Sequence, residues 1–410
     1  MSETQETPVV EEKPQEKNEE TAVATDEAEA ADKTPEQPPK EMRAVILTGF
    51  GGLKSVKILK KPEPTVGEGE LIIRVKACGL NFQDLMVRQG AIDSPPKTPF
   101  ILGFECAGEV EEVGDRVVAL PEYRAWAELV LVPAQYVYHL PPGLSFLDAA
   151  ALTMNYLVAY ILLFELGGLS PGKSVLLHSA GGGVGQAVAQ LCRTVSDVTV
   201  FGVASKTKHE ALKSTIDQVL ERGSDYASEV RKLCPEGVDI VLDCLCGEEC
   251  NRGYSLLKAM GKYILYGSSN VVTGETKSFF SVAKSLFDEN KSLSGFNLRH
   301  LLYQQNGAPY VKGIMDSVFA LWKDGKIKPV VDSTWALEDV PEAMQKMHDR
   351  KNIGKIVLDP SLEPKPKPAT PAKGKAKGDK NDDKKKDEEK KEDDKKDEEG
   401  ETPATDSAAG

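Results

Sequence analysis

No uninterrupted apolar run in this 410-residue chain reaches the roughly 18–20 residues needed to cross a bilayer. The longest candidate, 152–169, carries Asn155, Glu165 and two tyrosines. It reads as a helix packed inside a globular protein. A secretory signal is missing too: Met1 is followed by acidic and polar residues, with no basic start and no apolar stretch. These absences lead to the expectation of a cytoplasmic protein that touches membranes only at their surface. Seven cysteines, an odd number at irregular spacings, suit reduced thiols and argue against a disulfide framework. None of the five histidines stands where a general base would be expected; His178 ends an apolar run and reads as a positioned core residue.

Charge is scarce in the middle of the chain, although the formal total is −13. Residues 1–41 hold 13 acids against 4 bases, and residues 361–410 hold 15 acids against 13 bases. The remainder is almost neutral, which gives no support for nucleic-acid binding. Both ends lack large apolar residues and cannot bury enough surface to offset the entropy of ordering. They are expected to be disordered, the first as an acidic tail and the second as a solvated mixture of Lys, Asp and Glu.

Between the ends the chain changes texture near Phe146. Before it, short strands recur about every ten residues, among them 71–77 and 126–132, with a short helix over 81–89. After it, strand and helix alternate through 174–178, 185–194, 198–204, 208–220, 238–243 and 263–267. Alternation of this kind predicts a parallel sheet covered on both faces. Segments 319–323, 327–331, 340–348 and 356–358 read as a return to the first block. The expectation is an α/β chain in which 42–165 and 303–360 form one domain and 166–302 a doubly wound domain inserted into it. The cleft between two such domains is a usual ligand site.

The most telling stretch is Lys173-Ser174-Val175-Leu176-Leu177-His178-Ser179-Ala180-Gly181-Gly182-Gly183-Val184-Gly185-Gln186. It reads as a buried strand, a glycine turn and a helix start. Glycine permits a tight turn and close approach of a pyrophosphate, and the helix N-terminus offers unpaired N–H groups. Gly182, Gly183, Val184 and Gly185 are the expected coenzyme-binding residues. In such folds the second strand commonly ends in an acid that binds the ribose hydroxyl. Here it runs into Ser205-Lys206-Thr207-Lys208, with no acid. A hydroxyl and nearby lysines suit a 2′-phosphate, so Ser205 and Lys208 point to NADPH.

Several further motifs carry a resemblance. Val75-Lys76-Ala77-Cys78-Gly79-Leu80-Asn81-Phe82-Gln83-Asp84, Gly103-Phe104-Glu105-Cys106-Ala107-Gly108, Gly114-Asp115-Arg116-Val117 and the glycine turn resemble the quinone-oxidoreductase branch of the medium-chain dehydrogenase/reductases. Segments 191–195, 198–202 and 208–213, with Tyr266-Gly267-Ser268-Ser269 and Asn352-Ile353-Gly354-Lys355, are similar to the synaptic vesicle membrane protein (vesicle amine transport protein) homologues. The resemblance covers about 42–360. It implies a GroES-like catalytic domain around a Rossmann domain, NADPH as donor, Gly267 among the coenzyme-binding residues, and frequently a homodimer. It also implies cytosolic proteins, some associated with vesicles or the mitochondrial outer membrane.

Alcohol dehydrogenases of this superfamily hold a catalytic zinc on Cys, His and acidic ligands. The matching positions here are Asn81 and Phe104, the superfamily's four-cysteine lobe is absent, and the expected metal set is none. Hydride transfer to a quinone or enone carbonyl requires alignment, exclusion of water and a donor for the developing oxyanion. Asn81 is the expected donor, with Tyr160 a second catalytic candidate; Asp84 and Glu105 read as structural. Relatives often place Thr where Val158 stands, and Tyr near Leu220. The links 109–116 and 283–295 read as shortened. These departures support the alternative of a catalytically weak or inactive Rossmann-fold scaffold at vesicle or mitochondrial surfaces.

Overall fold

Ser174–His178 is buried at all five positions, as a strand covered on both faces must be. It is the third strand of a six-stranded sheet. The order runs Gln218–Glu221, Thr199–Ala204, Ser174–His178, Val238–Asp243, Leu257–Leu265, Ser292–Gly295. Every neighbouring pair is parallel. The strand order reverses beside Ser174–His178, and ligands of doubly wound sheets bind at that switch point.

The computed structural model describes residues 39–272, 286 and 288–366. Most of both expected tails, and part of the 283–295 link, lie outside the described residues. Two boundaries are corrected. Glu41 already belongs to the strand Glu41–Leu47. The packed chain continues past 360: the Lys365 N–H donates to Asp339 and its ammonium lies 3.7 Å over the Trp335 ring.

A seven-stranded sheet combines both ends of the described chain. Val331–Trp335 and Lys355–Leu358 join Glu70–Leu80, Cys106–Val110, Arg116–Ala119 and Val137–His139, and Leu129–Pro133 pairs with Glu70–Leu80. The register sets Ile356 against Leu80 and Leu358 against Cys78. A smaller sheet orders Val56–Pro62, Glu41–Leu47 and Phe100–Ile101. The helix Phe146–Tyr160 is capped by Ser145, whose hydroxyl accepts the Asp148 N–H; a wider π turn continues it through Ile161–Leu166. This 21-residue span is long and apolar enough to cross a membrane by length and composition, more than the sequence reading allowed. Its most apolar stretch is 67% buried inside the fold.

Two elements differ from expectation. Segment 208–220 is a short helix His209–Leu212 followed by the strand Gln218–Glu221. Asp217 sets the break: its carboxylate accepts the Val200 N–H and pairs with Arg193, which brings the next residues alongside Phe201–Ala204. The expected 319–323 is the last part of a helix Ala308–Lys323, whose start is obscured in the sequence by Gly307 and Pro309.

Candidate active site

The carboxyl ends of the central parallel strands open onto a cavity of about 1140 Å³. The glycine turn forms one wall. Asn81, Phe82, Met86, Met154 and Val158 line it as well, Asn155 lies against Gly183, and 349–355 adds a further stretch of lining. Gly182, Gly183, Val184, Gly185, Ser205, Lys208 and Gly267 all line this cavity.

Glycine is required in the turn by close approach. A Cβ on Gly185 would stand 2.5 Å from the Ala180 carbonyl oxygen and 2.6 Å from that of Ser179, both backbone atoms. The first hydrogen bond of the helix Gly183–Cys192 runs from the Gln186 N–H to the Gly182 carbonyl. The Gly183 N–H faces the Gly354 carbonyl in a parallel bridge, whereas the N–H groups of Val184 and Gly185 come before that first bond and have no backbone acceptor among the described residues. Unpaired N–H groups at a helix N-terminus are suited to an anion, and the turn has the donors a diphosphate would need.

A cationic corner lies beside the turn. The Lys208 ammonium donates to the Asn352 carbonyl at 2.6 Å. Burial, joined by the fields of Arg222, Arg350 and Lys346 and opposed by Asp332, lowers it to about 8. Arg222 and Arg350 also line the cavity. Neither was singled out from sequence. Arg222 lies two residues past Leu220, whose side chain is core, paired in register with Val203. Leu220 therefore offers the cavity no side chain of its own.

Asn81 precedes the helix Phe82–Gln89, and its N–H is held by Asp84 Oδ2 at 2.8 Å. Its side chain is engaged elsewhere. Oδ1 accepts from the Lys355 ammonium at 2.6 Å, and Nδ2 donates to Glu105 Oε2 at 3.3 Å. Burial raises the Asp84 carboxyl to about 8, against the downward pull of the Asn81 N–H and Lys355. Lys355 was quoted from sequence only as part of a motif; its role depends on a partner far away in the chain.

Tyr160 is a correction. It does not line the cavity and packs on Phe164, with ring centroids 4.7 Å apart. It lies two steps along the helix from Val158, a rotation of about 200°, so the residue after next leaves the cleft face. His178 is a core residue: Nδ1 lies 3.0 Å from Asp243 Oδ1 and Nε2 lies 3.2 Å from the Tyr226 hydroxyl. Burial pushes the Asp243 carboxyl up, but hydrogen bonds from His178, Cys250 and the Leu245 N–H prevail and hold it at about 2.

Comparison with known proteins matches residues 67–122 to the alcohol dehydrogenase GroES-like domain and 215–358 to the zinc-binding dehydrogenase family. Zinc is therefore the metal to test against the residues. Phe104 is fully buried against Tyr123, with centroids 5.2 Å apart, and the Asn81 amide is already engaged. Among the described residues no three His, Cys, Asp or Glu side chains gather as a metal site. The residues present do not fit a catalytic zinc.

The human "synaptic vesicle membrane protein VAT-1 homolog-like" is 56% identical over 347 residues, covering 80% of this chain and 83% of the relative. A crystal structure of the human VAT-1 homolog-like protein superposes with a TM-score of 0.72 at 52% identity, covering 79% of this chain and 99% of that one. A mycobacterial protein complexed with NADPH superposes with a TM-score of 0.71 at 27% identity, covering 78% and 100%. With its GroES-like and Rossmann-type halves, the chain belongs to the medium-chain dehydrogenase/reductase superfamily of oxidoreductases, among the synaptic vesicle membrane protein VAT-1 homologues.

Proposed function

We propose that this chain is an NADPH-dependent oxidoreductase of the quinone-reductase type, acting on a quinone or enone carbonyl without zinc. The observation that carries it is the one cavity that joins the glycine turn, the cationic corner and Asn81. The NADPH-bound mycobacterial neighbour supports the choice of coenzyme. Residues 166–302 would serve as the coenzyme domain, and 42–165 with 303–360 as the catalytic domain.

Reduced nicotinamide, when bound, supplies a hydride for an electron-poor carbon. The turn 182–185 would hold the diphosphate through the N–H groups of Val184 and Gly185, with Gly267 also lining the cavity. Ser205, Lys208 and Arg222 would hold the 2′-phosphate, a charge-assisted contact. Asn81 Nδ2–H donates to the carbonyl oxygen, where negative charge develops. Phe82, Met86 and Val158 keep water from the reacting carbon.

Val158 favours a second reading, a weak or inactive scaffold at a vesicle or mitochondrial surface, because it gives the wall no hydrogen-bonding group. Peripheral vesicle association accords with the name of the relative, and a homodimer is carried over from the family resemblance alone. Titration of NADPH fluorescence decides first: no binding at sub-millimolar protein overturns both coenzyme and activity. Binding followed by turnover of a small quinone supports the enzyme, and binding without turnover supports the scaffold.

A further inference from the structure

Lys355 opens the strand Lys355–Leu358, directly after the segment that touches the glycine turn. Its side chain is 2% exposed. The ammonium lies 2.6 Å from Asn81 Oδ1 and 2.6 Å from Glu105 Oε2. Glu105 is fully buried, and its other oxygen accepts the Met154 N–H at 2.6 Å. The Asn81 amide bridges the pair, with oxygen toward the cation and nitrogen toward the carboxylate. An ammonium only donates and a carboxylate only accepts, so the amide has one permitted orientation. Nδ2 carries two hydrogens. One goes to Glu105; the second has no protein acceptor among the described residues, and Asn81 lines the cavity.

Stability alone is a weak reason for this arrangement. Desolvating a buried ion pair can cost more than its attraction returns, and apolar replacements are often as stable. The fold nevertheless makes room for it. A Cβ on Gly79 would collide with Glu105 Oε2 and stand 2.8 Å from Lys355 Cε, so the neighbouring strand is bare where the pair sits.

We propose that Lys355 is a positioning residue that acts through Asn81. It locks the amide oxygen away from the cleft and polarises the group, so that Nδ2–H is the atom presented to a substrate carbonyl. This rests on Asn81 being the carbonyl donor, and the test separates the two ideas.

The first readout needs no turnover. Full-length protein labelled with ¹⁵N-asparagine shows the Nδ2 protons of Asn81, identified by their loss in N81A. In K355M both resonances shift and exchange with water at least about tenfold faster. Unchanged resonances overturn the proposal. Should the unpaired Glu105 keep K355M from folding, E105Q/K355M compared with E105Q carries the same measurement without a buried charge. The second readout is a double-mutant cycle. K355M lowers kcat about tenfold when Asn81 is present and less than about twofold in the N81A background. Equal losses in both backgrounds mean packing alone and overturn the proposal. A wild-type chain that binds NADPH but reduces no quinone defeats the enzyme reading, and the amide resonances still decide whether Lys355 orients Asn81.

Discussion

Gly354 donates its N–H to the Gly181 carbonyl at 3.0 Å and forms a parallel bridge with Gly182. This bridge ties the returning end of the chain to the glycine turn, one residue before Lys355 reaches Asn81. The glycine turn and Asn81 are thus held by the same short segment, 352–355.

That bond depends on the backbone of Gly354, at φ +87° with the Val330 carbonyl against the position a Cβ would take. Gly354→Ala is expected to cost about 1–3 kcal/mol of folding stability and to weaken NADPH binding. Chemical denaturation and fluorescence titration check both. Unchanged affinity would show that the turn does not depend on this contact.

Asn81→Ala removes the proposed carbonyl donor. The expected loss in kcat is about 100-fold, with the NADPH dissociation constant nearly unchanged. Steady-state kinetics with a small quinone is the measurement. Wild-type turnover in the variant would discard Asn81.

Lys208, lowered to about 8 by burial and by neighbouring cations, should bind a phosphate only while charged. NADPH affinity is expected to weaken as pH rises through that value. Lys208→Met should flatten the profile and reduce the preference for NADPH over NADH by about tenfold. Titrations on either side of that pH, with both coenzymes, test it; a preserved preference assigns the phosphate elsewhere.

Asp84 makes stability depend on pH. Its folded value of about 8 lies above the ordinary 3.8, so between the two the native state holds a proton that the unfolded chain has released. Stability then falls as pH rises through this window. In Asp84→Asn that loss is absent. Melting temperatures at about pH 5 and about pH 8 should diverge in favour of the variant at the higher pH; a constant gap counts against a protonated Asp84.

Local patterns made much of this legible. Four apolar residues before a glycine run announce a strand entering a phosphate-binding turn, because period and turn chemistry act over a few residues. That Ser205 and Lys208 line the cavity could be expected because they follow the second strand at a short, regular distance. Tyr160 was misplaced because the face of a helix depends on rotation as well as proximity. Arg222 escaped because the wall it joins is assembled from several strand ends.

Sequence alone therefore determined the two-part α/β architecture, the glycine turn and the position of Asn81, all properties of short stretches of chain. Only the tertiary structure decided what the Asn81 amide touches. Its partner Lys355 is 274 residues away, and no local period can encode the orientation of an amide held between a distant cation and a buried carboxylate.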